Sequence, residues 1–467
     1  MGLEKTSRKR IQLTTVLAAL VLTGCAAPAV DSEGPLSEVS ASKWSATLNA
    51  ATTVDPDSFW QAWHDADLMR LIERVDASSP RIESALATLR SARAQIRNAD
   101  SALWPSANAK LDVARTRAAG AHSTSLGASL VADWTVNVAG AAYARYESAL
   151  LTARAKAWSV QAVRNQLKAE VTTAYINLRA AQEKLALLKQ LLKSYEQTAE
   201  LARWNAEAGL GSQSDVESAL AQVQSAKVQV LHMMQSIAEY RNALARLTAL
   251  PNDALGIAVE GSLPKPSAGL ATRIPAAVMM QRPDVRSALE TLMAAARDVQ
   301  AARADFFPTL SLTGSIGTEA ATVSALGAAG TGVGTLAAAL SSTLLNWGSL
   351  RAASEVAQAQ FDAAKADYRE TLVEALEETD NALWAVKTAE SATEPLKQAV
   401  EHAARARDIA RLEYQSGLGE YTALLLAERD YLSAWETEID NRAAYSNAMG
   451  TLYRVLGGAW DVSDNAR

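Results

Sequence analysis

Apolar and polar positions along this chain follow two different periods, and the switches between them mark out its elements. Leu178, Ala181, Leu185, Leu188, Leu192, Tyr195, Ala199 and Ala202 fall three and four apart, the heptad spacing of a helix that packs as a coiled coil. The stretch between Gly140 and Gly209 holds 68 residues with neither Gly nor Pro, and that between Gly348 and Gly417 holds 68 more, broken only by Pro395. At about 1.5 Å per residue each predicts a helix on the order of 100 Å long. A further run without Gly or Pro, Ser212 to Leu250, follows Gly209-Leu210-Gly211. It predicts an antiparallel helix returning from a tight turn, and so a rod and not a globule.

Between the helical runs the period drops to two. Ala107, Ala109, Leu111 and Val113 alternate with Ser106, Asn108, Lys110 and Asp112; from Thr124 to Trp134 the same period runs through Leu126, Ala128, Leu130, Ala132 and Trp134. Leu310, Leu312 and Ile316 do the same against Thr309, Ser311, Thr313 and Ser315. Strands of about ten residues with one apolar face have the length that crosses a membrane in a tilted barrel, although a soluble half-buried hairpin carries the same alternation. Ala320 to Leu350 has no charge and is long enough for a transmembrane helix. Gly327, Gly330, Gly332 and Gly334 crowd its centre, however, so it reads as an exposed loop followed by a fourth strand, with Leu336, Ala338, Leu340 and Leu344 toward lipid. Four strands cannot close a barrel, and an open edge in lipid leaves backbone groups unsatisfied. Other copies must supply strands: two would give a barrel filled by its own side chains, three a wider one that could leave a pore.

The pattern is written twice. Pro80, Leu86, Leu89, Ala99 and Pro105 recur as Pro283, Leu289, Leu292, Ala302 and Pro308 at an offset of 203, and Gly140, Glu170, Gly209 and Gly211 recur as Gly348, Glu378, Gly417 and Gly419 at 208. The expected organisation is a signal peptide (1–24), an N-terminal extension (25–57) and a first repeat (58–250) with a hairpin at about 106–136. A connecting segment (251–280), a second repeat (281–457) with a hairpin at about 309–346, and a tail (458–467) follow.

Composition removes several classes of function. Apolar residues make up 49% of the 467 positions, which excludes a disordered chain, while a mean hydropathy of −0.04 excludes a polytopic helical membrane protein. The net charge of −6 comes with no basic stripe, so no nucleic acid partner is expected. A single cysteine excludes a disulfide framework and a multi-thiolate zinc site. His64, His122, His232 and His402 stand alone, and Gly330-x-Gly332-x-Gly334 lacks the lysine and the strand–helix context of a phosphate loop. With no nucleophile elbow either, no enzyme, cofactor or metal site is expected.

The first residues predict an export signal: Lys5, Arg8, Lys9 and Arg10 precede the apolar stretch Ile11 to Leu22, too short to remain as a membrane helix. Leu22-Thr23-Gly24-Cys25 resembles the lipobox of bacterial lipoproteins. That resemblance implies cleavage before Cys25 and acylation of its thiol and new amine, enough for stable anchoring. Ala26 follows, which favours sorting to the outer membrane.

The chain resembles the TolC-type outer membrane factors, specifically the NodT-like efflux lipoproteins. The resemblance rests on Phe59-Trp60-Gln61-Ala62-Trp63 with Leu68 and Leu71-Ile72, on Arg282-Pro283-Asp284-Val285-Arg286, and on Ala301-Ala302-Arg303-Ala304-Asp305-Phe306-Phe307-Pro308-Thr309-Leu310-Ser311-Leu312. The segments from Ala208 to Val216 and from Tyr414 to Gly419 complete it. It implies a mixed, mainly helical fold: long antiparallel coiled-coil helices forming a periplasmic tunnel, and four transmembrane strands per chain closing as a twelve-stranded barrel in a homotrimer. It also implies a passive exit duct for small toxic compounds or drugs, seated in outer membrane lipid and coupled through a periplasmic adaptor protein to an inner membrane efflux pump. The alternatives are the duct of type I protein secretion and a lipidated periplasmic coiled-coil adaptor.

Site expectations follow. Cys25 carries the lipid. Gly209, Leu210 and Gly211, with Gly417, Leu418 and Gly419, form the adaptor-contact turns, their glycines permitting positive φ and close approach while Leu210 and Leu418 project. Where the family often places acidic residues after the second turn, this chain has Ala423 and Leu426. The resemblance brings Asp215 close to Tyr414, so the expected periplasmic gate is a leucine ring at Leu426 latched by an Asp215–Tyr414 hydrogen bond. The competing reading of Asp215 is a first-turn helix acid beside Ser212.

Overall fold

The computed structural model describes residue 28 and residues 56–118, 121–266, 276–342 and 347–457. Cys25, the signal, most of the extension, the tail and Leu344 lie outside the described residues. After a 3-10 segment, Pro56–Trp63, the chain forms α1 (Ala66–Ser78), α2 (Pro80–Ser101), β1 (Ser106–Ala118), β2 (Ala121–Asn137), α3 (Ala141–Glu207) and α4 (Gln213–Thr248). A second series repeats the pattern: α5 (Pro283–Ala304), β3 (Thr309–Ala320), β4 (Gly332–Ser341), α6 (Trp347–Gln415) and α7 (Tyr421–Val455). α2 and α5 are both 22 residues long, and α3 and α6 are 67 and 69. Pro395 lies inside α6 without ending it. No described helix is long and apolar enough to cross a membrane.

The described chain divides into two compact units. The first holds residues 86–118, 121–159, 284–342 and 347–371. Its sheet is fully antiparallel in the order β1-β2-β3-β4, so the two hairpins join through β2 and β3, and β1 and β4 are its edges. Register makes one face continuous: Ala109, Leu130, Ile316 and Gly334 stand in one row, and Trp134, Leu312 and Ala338 in another. The opposite face carries Asp133, whose carboxylate accepts from the Thr313 hydroxyl at 2.9 Å, and Ser315, 2.6 Å from Thr335. Along α5, Val285, Leu289, Leu292, Ala296 and Val299 are buried at alternating steps of four and three, the seam expected of coiled-coil packing.

The second unit holds residues 56–85, 160–266, 276–283 and 372–457. One core cluster gathers Trp60, Trp63, Leu68, Leu71, Ile72 and Val75 with Val171, Tyr175, Leu244, Leu452 and Tyr453. Trp60 and Trp63 stack at 6.2 Å, and the Tyr453 ring meets Trp63 edge-on at 5.4 Å. Asp65 caps α1 by accepting from the Leu68 amide at 2.9 Å and also takes the Tyr175 hydroxyl. Arg179 pairs with Asp67 at 3.0 Å. The aromatic segment before α1 is therefore an anchor onto α3 and α7. A second cluster draws Tyr195, Ala199 and Ala202 from α3, Val216 and Val223 from α4, Tyr414 from α6, and Tyr421 and Leu424 from α7. Most of the heptad positions from Leu178 to Ala202 are buried, with Leu185 and Leu192 half-buried.

Candidate functional site

The turns that end α3 and α6 are built alike, because the residues that shape them recur at the offset of 208. Gly209 and Gly417 have φ of 75° and 70°. At each, the amide of the following leucine donates to the carbonyl five residues back, Leu210 to Asn205 at 2.8 Å and Leu418 to Glu413 at 2.9 Å. The glycine amides donate to Ala206 at 3.0 Å and Tyr414 at 3.2 Å. This is the Schellman pattern, which satisfies the last carbonyls of a helix. The paired glycines have separate tasks, which corrects the expectation that all four offer positive φ. The first of each pair takes the left-handed conformation. The second permits close approach: a Cβ on Gly211 would meet the Cβ of Asn205 at 3.3 Å, and one on Gly419 that of Glu413 at 3.0 Å.

Leu210 and Leu418 are 82% and 85% exposed. A Schellman turn usually packs the residue after its glycine onto the last helical turn. Here both leucines remain in solvent, although Trp204 and Leu412, themselves exposed, stand in those last turns.

The latch does not form as expected. The Asp215 carboxylate accepts from the Ser212 amide at 3.2 Å while the Ser212 hydroxyl accepts from the Asp215 amide at 3.1 Å, a capping box that opens α4. No Asp215–Tyr414 hydrogen bond is present. Tyr414 is buried, its ring 5.8 Å from that of Tyr421. Burial pushes its hydroxyl above the ordinary value, against the Asn205 side chain, while the Asp215 charge adds to the rise. The helix-acid reading of Asp215 is the one the geometry supports. In the second copy Glu420 occupies the cap position, but its carboxylate takes the Thr422 hydroxyl at 3.3 Å and makes no capping bond, and Ala423 stands where Asp215 stands in the first. Ala423 and Leu426 are exposed on one face of α7, Leu426 at 59%.

Two charged arrangements were not anticipated from the sequence. Glu428 of α7, 1% exposed, accepts from Arg411 of α6 at 3.0 Å and from the Ser194 hydroxyl of α3 at 3.3 Å. Arg411 also donates to Ser194. Burial pushes the Glu428 carboxyl up, with Arg411 opposing. Elsewhere, the duplicated Glu170 and Glu378 each hold an arginine beside a duplicated proline: Arg81, after Pro80, reaches Glu170 at 2.7 Å, and Arg282, before Pro283, reaches Glu378 at 2.8 Å. Arg454 joins Glu378 at 3.1 Å. The duplicated glutamates were legible, but their partners were not, because the arginines sit on opposite sides of their prolines.

The sheet end nearest the helices is aromatic. Trp104 and Trp347 are mostly exposed, Phe306 meets Trp347 at 5.9 Å, and the Trp134 indole donates to the Leu103 carbonyl at 3.0 Å. A signal for this belt was available, since the residues adjoin predicted strand ends and such girdles mark membrane interfaces.

A family profile described as outer membrane efflux protein matches residues 71–250 and 275–458, one match for each repeat. The chain is 27% identical to the toluene efflux pump outer membrane protein TtgC of Pseudomonas putida over 96% of its own length and 95% of that protein. It is 30% identical to the outer membrane protein OprJ of Pseudomonas aeruginosa, covering 96% of each. Among solved structures, the outer-membrane channel OprN superposes with a TM-score of 0.85 at 25% identity, over 93% of this chain and 99% of that one.

Proposed function

The chain belongs to the outer membrane efflux protein family, and from that premise we propose that it is the passive exit duct of a tripartite efflux system, assembled as a homotrimer. The observation that carries the reading is the sheet: four antiparallel strands with one apolar face, one hydrogen-bonded polar face, and open edges at β1 and β4. Open edges are untenable in lipid, and pairing β4 of one copy with β1 of the next removes them. Three copies give twelve strands, more than an eight-stranded barrel whose side chains fill it. The helices then form the periplasmic part, and the leucine-tipped turns at Gly209–Gly211 and Gly417–Gly419 are the surfaces for a periplasmic adaptor, which links the duct to an inner membrane pump. Cys25 carries the lipid anchor.

Relatives named for toluene and antibiotic efflux support small apolar or amphiphilic toxic compounds as the cargo. A duct moves them without altering them, so no residue is assigned a catalytic role. The test pairs native mass determination and planar-bilayer recording on purified protein with toluene and antibiotic susceptibility of a deletion strain. A three-chain mass, discrete conductance and hypersensitivity restored by the gene are expected. A single-chain mass without conductance overturns the duct, and unaltered susceptibility overturns the cargo.

A further inference from the structure

The apolar face of the sheet ends in different chemistry at its two ends. Toward the helices it is bounded by indoles. Toward the β1–β2 hairpin it runs from Leu111 and Val113 directly into Arg115 and Arg117, which the period of two keeps on that same face. Register sets Arg115 opposite Thr124 and Arg117 opposite His122. Both arginines are exposed, and neither makes an ion pair or side-chain hydrogen bond among the described residues. The other charged side chains of the four strands, Lys110, Asp112, Asp133 and Glu319, lie on the opposite face, where Lys110 approaches Asp112 at 3.9 Å and Asp133 holds Thr313.

An arginine on the lipid face is costly at the bilayer midplane and nearly free at the interface. Arg115 and Arg117 therefore mark the headgroup level, at the membrane surface remote from the helices. Two residues apart on a strand, their Cα atoms are separated by roughly 6.8 Å, and each guanidinium offers a planar fork suited to bidentate contact with phosphate. The chain as a whole is acidic, so general charge attraction does not account for a cationic pair here.

We infer that Arg115 and Arg117 bind the phosphates of the lipid in the outer leaflet, a phosphorylated glycolipid of the lipid A type. The inference rests on the outer membrane duct reading. Because β1 is an edge strand, the site sits at the seam where the neighbouring copy's β4 pairs, and a trimer carries three.

The test is a native mass spectrometry titration of the purified full-length protein in neutral detergent with diphosphoryl lipid A. Arg115→Gln/Arg117→Gln is expected to bind roughly 10-fold more weakly or worse, as the loss of charge-assisted contacts requires, while Lys110→Gln on the polar face binds as wild type. Arg115→Lys/Arg117→Lys should fall between them, since charge is kept and the fork is lost. Equal binding by the double glutamine variant and wild type overturns the site. Displacement of the lipid by inorganic phosphate overturns its assignment to lipid. Failure of the duct reading shows separately: if Leu130→Cys in native membranes reacts with a water-soluble thiol reagent as fast as Asp133→Cys, the apolar face does not meet lipid, and the site falls with it.

Discussion

Leu210 and Leu418 occupy the same position in two copies of one helix-ending turn. Each follows a glycine in the left-handed conformation, each donates its amide to the carbonyl five residues back, and each leaves its side chain in solvent. The helix-ending hydrogen bonds form without any packing of the leucine side chains, whose apolar surface stays exposed.

Burying a leucine side chain contributes about 1.5–3 kcal/mol. Leu210→Glu/Leu418→Glu is therefore expected to weaken adaptor binding by roughly 100-fold or more and to abolish drug resistance, with trimer assembly unchanged. Pull-down of the adaptor and resistance in the complemented deletion strain measure this. Retained resistance would show that the turns are not the contact.

The missing Asp215–Tyr414 bond changes what is expected at the gate. With Leu426 exposed and Tyr414 buried, Leu426→Ala should raise the closed-state conductance in single-channel recordings, and Tyr414→Phe should conduct as wild type. Asp215→Ala removes half of the capping box and is expected to destabilise the start of α4 by about 1 kcal/mol, seen as faster amide exchange there. A Tyr414→Phe channel as leaky as Leu426→Ala would return the phenol to the closure.

Glu378 and Glu428 are expected to respond to pH with opposite signs. Burial pushes the Glu378 carboxyl up, but the Arg282 hydrogen bond and the Arg454 charge outweigh it, leaving it below the ordinary 4.5. Its contribution to stability is present above that value and is lost as pH falls through the lowered one. Glu428 lies above 4.5 because burial outweighs Arg411, so its contribution is present in acid and lost as pH rises through the raised value.

In acid both glutamates are neutral, like glutamine. As pH rises toward about 4.5, Glu378→Gln should become progressively less stable than wild type, and above that value its deficit should stay level. The deficit should reach about 1–2 kcal/mol, a buried-pair loss discounted for the exposure of Glu378. Glu428→Gln should instead gain on wild type as pH rises from about 4.5 to about 7. Thermal melts of the two variants across both intervals measure the slopes, and parallel slopes would contradict the assignment.

The sequence alone determined the elements and their duplication. Heptad spacing, Gly- and Pro-free runs and the period-two segments are local properties, and a period specifies a face without reference to any partner. They predicted helices that emerged as Ala141–Glu207 and Trp347–Gln415 and a four-stranded set with a continuous apolar face. Only the tertiary structure decided which charges meet. Arg411 and Glu428 are adjacent because α6 and α7 return alongside each other, and the Ser194 hydroxyl reaches them from a helix more than two hundred residues earlier. The same holds where the expectation failed: the sequence offered Asp215 two candidate partners, and the carboxylate went to the Ser212 amide because an open helix N-terminus leaves amides that require acceptors. Periodicity reports burial, which each residue satisfies with any apolar neighbour. A hydrogen bond or ion pair needs one particular partner at one distance, and that depends on packing between segments remote in the chain.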